Sequence, residues 1–187
     1  MNKLFLSNLL YTTPHVFINN KTYRAKNNHL IIPDCFLYFV ALHIKLSTAT
    51  YSSQLVELFA YENPTVSINT AKSSTTPTTL NTTCVYQFHN LFNQERLFVF
   101  SVPSAKDAPM SGKSIAELFA NAWWLERELS ELHGLYFEGK KDLRNLMLTY
   151  GDSSAPFRKS FPSIGVKEVH YDSFTDQISY LPVSIQA

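Results

Sequence analysis

Cysteine and glycine are scarce in this chain, and each shortage excludes a class of structure. The 187 residues include two cysteines, Cys35 and Cys84, and five glycines. A zinc site or an iron–sulfur cluster held by this chain alone would need about four good ligands at short spacings, so we expect no metal or cluster. We expect both thiols to be buried. All the glycines lie beyond residue 105, where the composition changes and where we place an internal boundary.

The chain also lacks an excess of either charge and lacks long apolar runs. The chain has 16 basic and 15 acidic residues, a net charge of +1, so it lacks the basic excess that nucleic-acid binding requires. Its longest strongly apolar run, 35–44, is far shorter than the ~20 residues of a transmembrane helix. We therefore expect neither a nucleic-acid partner nor a membrane span. Residues 1–13 match neither a signal peptide nor a transit peptide.

The first hundred residues predict a small sheet with one helix. A weakly patterned N-terminal segment, 1–30, ends in an apolar run at 29–32 that is typical of an edge strand. Asp34 is an N-cap candidate for a helix over 35–46. The pattern of 54–61 predicts a strand that ends in a turn at 62–64, and a solvated loop should occupy 69–83.

Two antiparallel strands should follow, at 84–92 and 96–102, joined by a turn at 93–95. The predicted fold class is α+β: a small mixed sheet with an antiparallel hairpin, covered by helices.

A longer helix is predicted at 114–133. Ser114 is its N-cap candidate, Glu117 completes a capping box, and Gly134 ends it. A short second helix is expected at 142–148.

The remaining residues, 150–187, contain too much glycine and proline for a long regular element. Their aromatic and charged side chains predict an extended docking arm. The domain proper would then span 31–149.

The sequence contains no convincing catalytic motif. Gly112-Lys113-Ser114 resembles the end of a phosphate-binding loop, but Asp107 stands where the first glycine is required, and we expect these residues to start the helix. The acidic residues of the long helix lack the paired Glu-x-x-His motifs of di-iron bundles. We expect Arg127 to pair with Glu131, and Glu126 or Glu128 to reach an arginine of a neighbour or a backbone amide. No nucleophile motif is present.

One stretch of the chain resembles a known family. Its strings are Trp124-Leu-Glu126-Arg127-Glu128, Gly134-Leu-Tyr-Phe137-Glu-Gly139, Asp142-Leu143-Arg144, Tyr150-Gly151, Pro156-Phe-Arg158-Lys159-Ser-Phe161-Pro162 and Gly165-Val-Lys-Glu168-Val169-His-Tyr171-Asp172. In order and spacing they resemble the thirty-kilodalton subunit of respiratory complex I, known in mitochondrial genomes as NADH dehydrogenase subunit 9. The chain departs from the family pattern at Glu131, Lys140, Lys141, Asn145, Thr149, Ala155 and Ser160.

The resemblance implies a non-catalytic core subunit of NADH:ubiquinone oxidoreductase, on the matrix side of the mitochondrial inner membrane. It implies no cofactor of its own, and as partners other peripheral-arm subunits, especially those with the terminal cluster and the quinone site. The expected interface residues are Trp124, Arg127, Glu128, Arg144, Arg158, Lys159, Phe161, Glu168, Tyr171 and Asp172. The alternatives are the equivalent subunit of a plastid NDH or membrane hydrogenase complex, or a stand-alone binding module or enzyme.

Overall fold

The structure is a computed structural model that describes residues 29–48, 50, 53–64, 80–91, 94–103 and 111–184. Its strands are β1 (His29–Pro33), β2 (Ser53–Pro64), β3 (Leu80–Asn90), β4 (Glu95–Val102), β5 (Ser111–Lys113), β6 (Tyr136–Glu138), β7 (Lys167–Asp172) and β8 (Gln177–Pro182). Two α-helices, α1 (Leu37–Leu46) and α2 (Ala122–His133), accompany them, and a 3-10 turn at Asp34–Phe36 leads into α1.

A four-stranded mixed sheet forms the body of the domain, in the order β1-β4-β3-β2. The predicted edge strand β1 runs parallel to β4, while β3 is antiparallel to both β4 and β2. A bulge between Leu55 and Glu57 interrupts the register of β2. The α+β prediction is confirmed, and the predicted strands 54–61, 84–92 and 96–102 correspond to β2, β3 and β4.

The core lies between this sheet and the helices. Alternate positions of β1 bury Leu30 and Ile32, whereas β3 is buried at every position from 83 to 88 and adds Tyr86 and Phe88 to the core. The helices contribute further buried side chains, including Ile44 of α1. Burial of this apolar surface is the main force that holds the layers together.

The long helix begins later than predicted, at Ala122. A continuous helix from Ser114 to Glu126 would hold these residues roughly 18 Å apart, because each residue adds about 1.5 Å. In the structure the Ser114 hydroxyl donates to the Glu126 carboxylate at 2.6 Å, so the chain must fold back between them. Ser114 accepts a hydrogen bond from Ala116 N, and Glu117 is exposed, so the predicted capping box is wrong.

The phosphate-loop-like residues do not start a helix either. Gly112 and Lys113 belong to β5, which pairs parallel to β6, and Ser114 N donates to the carbonyl of Glu138 at 2.9 Å. The small second sheet therefore fixes the chain just before the turns that precede α2.

The short helix predicted at 142–148 is also absent from this described stretch, which forms bends. In a helix the amides of 146–148 would bond to carbonyls four residues earlier. Here they donate to the carboxylate of Glu131 on α2. A tertiary contact has replaced the local hydrogen bonds.

The C-terminal residues contain more regular structure than predicted. β7 and β8 pair as an antiparallel hairpin from Lys167–Pro182 to Asp172–Gln177. Nearly all of its side chains are exposed, in agreement with the absence of a core of its own.

Of the other predictions, some are confirmed, some are wrong, and some concern residues that the structure does not describe. Cys84 is buried as expected, but Cys35 is exposed, because it lies in the 3-10 turn before α1. The turn predicted at 62–64 is part of β2, and Leu80–Thr83 of the predicted loop belong to β3. Residues 1–28, the loop 69–79 and the boundary near 105 lie outside the described residues.

Candidate partner interface

Helix α2 organises the surroundings of the predicted interface through a buried carboxylate. Glu126 is 0% exposed and accepts hydrogen bonds from the amide of Ile115 at 2.9 Å and from the hydroxyl of Ser114. The ammonium of Lys140 lies 3.2 Å from the same carboxylate and donates to the carbonyl of Trp123 at 2.7 Å. Of the predicted alternatives, in which Glu126 or Glu128 reaches an arginine of a neighbour or a backbone amide, the structure shows Glu126 bound to a backbone amide of its own chain.

Burial and pairing oppose each other at Lys140. Desolvation lowers the pKa of its ammonium, and the charge of Glu126 partly restores it. Because the Lys140 side chain is only 1% exposed, this ion pair is structural: it joins α2 to the chain that follows β6.

Arg127 and Glu131 act on one loop. The guanidinium of Arg127 donates to the carbonyls of Arg144 and Asn145 at 2.9 and 3.2 Å. Glu131 accepts from the three following amides, those of Leu146, Met147 and Leu148. The predicted direct ion pair between Arg127 and Glu131 is not among the salt bridges of the described residues. Instead, Arg127 donates to two consecutive carbonyls of the loop, and Glu131, one helical turn later, accepts from the three amides that follow them.

The electrostatics of Glu131 agree with this arrangement. Partial burial raises its pKa, but the backbone amides of Met147, Leu146 and Leu148, together with the charge of Arg127, outweigh that effect and lower it. The ionised carboxylate is therefore the form that holds the loop.

The C-terminal end of α2 binds the start of the predicted arm. Gly134 ends the helix at a φ of 65°, and Arg158 donates to the carbonyls of His133 at 2.8 Å and Gly134 at 3.1 Å. A cation at the end of a helix is favourable because unpaired carbonyls gather there. The amide of Phe157 donates to the carbonyl of Leu132 at 3.0 Å, and its ring lies edge-on to that of His133.

This contact extends to the sheet. The amide of Lys159 donates to the carboxylate of Glu62 on β2 at 2.8 Å. Ala155 is buried. Hydrogen bonds therefore attach residues 155–159 to the domain, although the side chains of Phe157, Arg158 and Lys159 remain exposed.

The predicted interface residues fall into three groups. Trp124, Glu128 and Arg127 lie on α2, where Arg127 is buried and its guanidinium faces the ring of the exposed Trp124 at 5.1 Å. Arg144 is exposed and paired with Asp142 at 2.8 Å. The others belong to the segment after Ala155, where Phe161 and Asp172 are half-buried and Arg158, Lys159, Glu168 and Tyr171 are exposed.

Asp172 has a role within the hairpin. Its carboxylate accepts from the amide of Phe174 at 3.0 Å and from the hydroxyl of Thr175 at 2.9 Å, which stabilises the turn between β7 and β8. The same contacts lower its pKa.

The sequence reasoning missed a set of exposed apolar side chains in the loop that Glu131 holds. They are Leu143, Leu146, Met147 and Tyr150. The same kind of surface continues through Phe157, Ile164, Val166, Val169, Tyr171, Phe174, Ile178, Tyr180 and Leu181. The apolar residues of 142–148 fitted a short helix, and that interpretation hid their exposure.

No three His, Cys, Asp or Glu side chains of the described residues come together as metal ligands. A cleft of about 470 Å³ beside α2 is lined by Lys113, Glu117, Trp123, Glu138 and Lys141, among others. No described helix is long and apolar enough to cross a membrane.

Fold and surface together define a class: an α+β domain that continues into a long, exposed and largely apolar C-terminal segment. A family model described as "Respiratory-chain NADH dehydrogenase, 30 Kd subunit" matches residues 37–167, which is most of the chain. The chain belongs to this family.

Curated relatives agree with the family. A subunit of the NADH-quinone oxidoreductase of Coxiella burnetii is 47% identical over 73 residues, which are 39% of this chain and 32% of the relative. The corresponding protein of Halorhodospira halophila is 39% identical over 102 residues, 54% of this chain and 41% of the relative. The matched region thus spans less than half the length of these relatives.

Two solved structures share the fold. A trypsin-resistant fragment (1-134) of Nqo5 matches with a TM-score of 0.50 and 20% identity, covering 74% of this chain and 99% of the fragment. A chain of the membrane-bound sulfane sulfur reductase, an archaeal respiratory membrane complex, matches with a TM-score of 0.62 and 16% identity, covering 86% and 85%. At these identities the likeness concerns the fold alone.

Proposed function

We propose that this chain is a non-catalytic core subunit of an NADH:ubiquinone oxidoreductase, where it supports assembly and fixes the geometry of the quinone-reducing part of the peripheral arm. The observation that carries the proposal is the family match over 37–167 together with the exposed apolar segment beyond residue 143. Electron transfer and quinone reduction both require partners held in fixed positions, and a docked subunit supplies that rigidity.

The exposed surface is large enough for a stable interface. A specific interface buries roughly 800 Å² per partner, and each fully buried aromatic side chain contributes about 150–250 Å². The segment beyond residue 143 exposes five aromatic side chains, Tyr150, Phe157, Tyr171, Phe174 and Tyr180, besides its aliphatic ones. These residues alone approach the required area.

One face of the hairpin is an apolar surface. In its register Val169 lies opposite Tyr180 and Tyr171 opposite Ile178, so these four apolar side chains share a face. Glu168, His170 and Asp172 alternate onto the other face. We assign the apolar face to contact with a neighbouring subunit; Glu168 lies on the opposite face.

The partners we propose are other subunits of the peripheral arm, especially those that carry the terminal cluster and the quinone site. We place the assembly on the matrix side of the mitochondrial inner membrane, on the strength of the sequence resemblance; the curated relatives named above are bacterial. Fractionation of intact organelles would test this location.

Native electrophoresis of mild-detergent extracts, with in-gel NADH oxidation and peptide identification, tests the function. We expect the chain in a very large NADH-oxidising band. A large band without NADH oxidation would favour a related membrane hydrogenase or plastid complex, and a free chain would contradict any assembly role.

Phe174→Ser tests the arm. Phe174 is 99% exposed, so its replacement should leave the stability of the free chain unchanged while it lowers the yield of the assembled complex. Phe39→Ser, at a phenylalanine on α1 that is 56% exposed, is the control and should assemble normally. Arg158→Ala is a less clean test, because Arg158 also stabilises the end of α2.

A further inference from the structure

The loop 142–150 has its backbone held by α2, while four of its five apolar side chains are exposed and Leu148 is half-buried. Arg127 binds two of its carbonyls, and Glu131 binds the amides of Leu146, Met147 and Leu148. Asn145 adds a hydrogen bond from its side-chain amide to the carbonyl of Thr149 at 2.9 Å.

A loop ordered only for stability would gain by turning apolar side chains inward, because burial of apolar surface is what stabilises a fold. This loop does the opposite. Leu143, Leu146, Met147 and Tyr150 remain exposed, with Met147 at 69%. When hydrogen bonds already fix the backbone beneath exposed apolar side chains, binding a partner costs less conformational entropy.

We infer that Arg127 and Glu131 are positioning residues that present Met147 and Tyr150 of the loop 142–150 to an uncharged, apolar surface of a different subunit. This inference rests on the proposed function and names a contact surface that is separate from the C-terminal hairpin.

The charges of the loop indicate the chemistry of the partner. Its arginine, Arg144, is already paired with Asp142 at 2.8 Å, and residues 145–151 carry no charged side chain. A partner surface with unpaired charges would lose hydration here without compensation. An anionic lipid surface would likewise find no free cation on this loop.

The charged cleft of a second copy of the chain is a poor match for the same reason. The cleft of about 470 Å³ beside α2 is lined by Lys113, Lys141, Glu117 and Glu138, which do not complement an uncharged apolar loop. Most of the loop also lies within the exposed segment beyond residue 143 that the proposed function assigns to neighbouring subunits. A different subunit is therefore the occupant we commit to.

Met147→Ser and Leu46→Ser form a matched pair of variants. Met147 is 69% exposed and Leu46 is 70% exposed at the end of α1, so the two replacements remove similar apolar surface. With each tagged variant in place of the natural chain, native gels should show about fivefold less complex for Met147→Ser and normal assembly for Leu46→Ser. Equal yields for both variants would overturn the inference.

Glu131→Gln tests the positioning role separately. A neutral amide holds three backbone N–H groups less well than a carboxylate does. We expect faster hydrogen exchange at the amides of 146–148 in the free full-length chain, unchanged exchange in β3, and a lower yield of complex. Loss of assembly without any change in exchange would mean that Glu131 contacts the partner itself, which contradicts a positioning role.

A photoreactive phenylalanine at Tyr150 identifies the occupant in the purified complex. The expected adduct joins Tyr150 to another subunit, at a segment without charged residues. An adduct with lipid, or with a second copy of this chain, would overturn the inference. If the wild-type chain enters no complex at all, the proposed function fails first, and that result is distinct from a wild-type complex in which Met147→Ser assembles normally.

Discussion

At the scale of single residues, Glu126 and Lys140 show how strongly one environment constrains side-chain chemistry. Both are almost completely buried, and they satisfy each other together with Ser114, Ile115 N and the carbonyl of Trp123. Removing one member of a buried ion pair leaves a charge without a partner, which costs far more than the pair itself contributes.

We expect Glu126→Gln to lower the free energy of unfolding by about 3–5 kcal/mol, because Lys140 would remain buried without its counter-ion. Equilibrium unfolding in urea measures this change. The double variant Glu126→Gln with Lys140→Met should recover much of the loss, because no buried charge then remains. A single variant as stable as the wild type would show that water reaches Lys140.

At the scale of elements, the sequence predicted the sheet better than the parts around α2. Alternating apolar residues and turn signals fix β2, β3 and β4 locally. The start of α2 could not be read in this way, because the fold-back at 114–121 depends on Glu126, which is distant in sequence from Ser114. The loop at 142–148 was missed for the same reason: its backbone is held by Arg127 and Glu131.

The predicted interface residues likewise include some whose exposure fits the prediction and others whose contacts the sequence did not indicate. Of the predicted interface residues, Trp124 and Tyr171 have exposed side chains. Nothing in the sequence indicated that Arg127 is buried against its own chain. Residue type alone does not distinguish an arginine that binds a partner from one that binds a nearby carbonyl.

The attachment of the loop 146–148 to α2 should depend on pH. The pKa of Glu131 in the folded chain lies below its ordinary value of 4.5. The hydrogen bonds from the amides of 146–148 to the Glu131 carboxylate, here called the clamp, therefore stabilise the fold fully above pH 4.5. This stability is lost as the pH falls through the lower pKa of the folded state. Amide NMR of the labelled full-length chain should show the signals of 146–148 changing together below pH 4.5. They should not titrate in Glu131→Gln. A midpoint above 4.5 in the wild type would contradict the clamp.

At the scale of the whole molecule, we propose that the domain extends beyond the predicted boundary at residue 149. The predicted arm begins at residue 150, but residues 155–159 bond to α2 and β2. We expect a chain ending at 166 to unfold at the same temperature as the full chain, and a chain ending at 150 to lose several degrees. Calorimetry compares them. Equal loss in both would show that the hairpin also stabilises the domain.

The parallel pairing of β1 with β4 also affects how the chain acquires its structure. His29 lies opposite Phe98, which is far along the chain, whereas β3 ends at Asn90 and β4 begins soon after, at Glu95. Pairings between residues distant in sequence close slowly, because they must order the intervening chain first. During synthesis β1 emerges early and has no strand to pair with until β4 has left the ribosome. Its apolar residues Leu30 and Ile32 are therefore exposed to non-native contacts during that interval, and a chaperone that binds the nascent chain should recognise this strand.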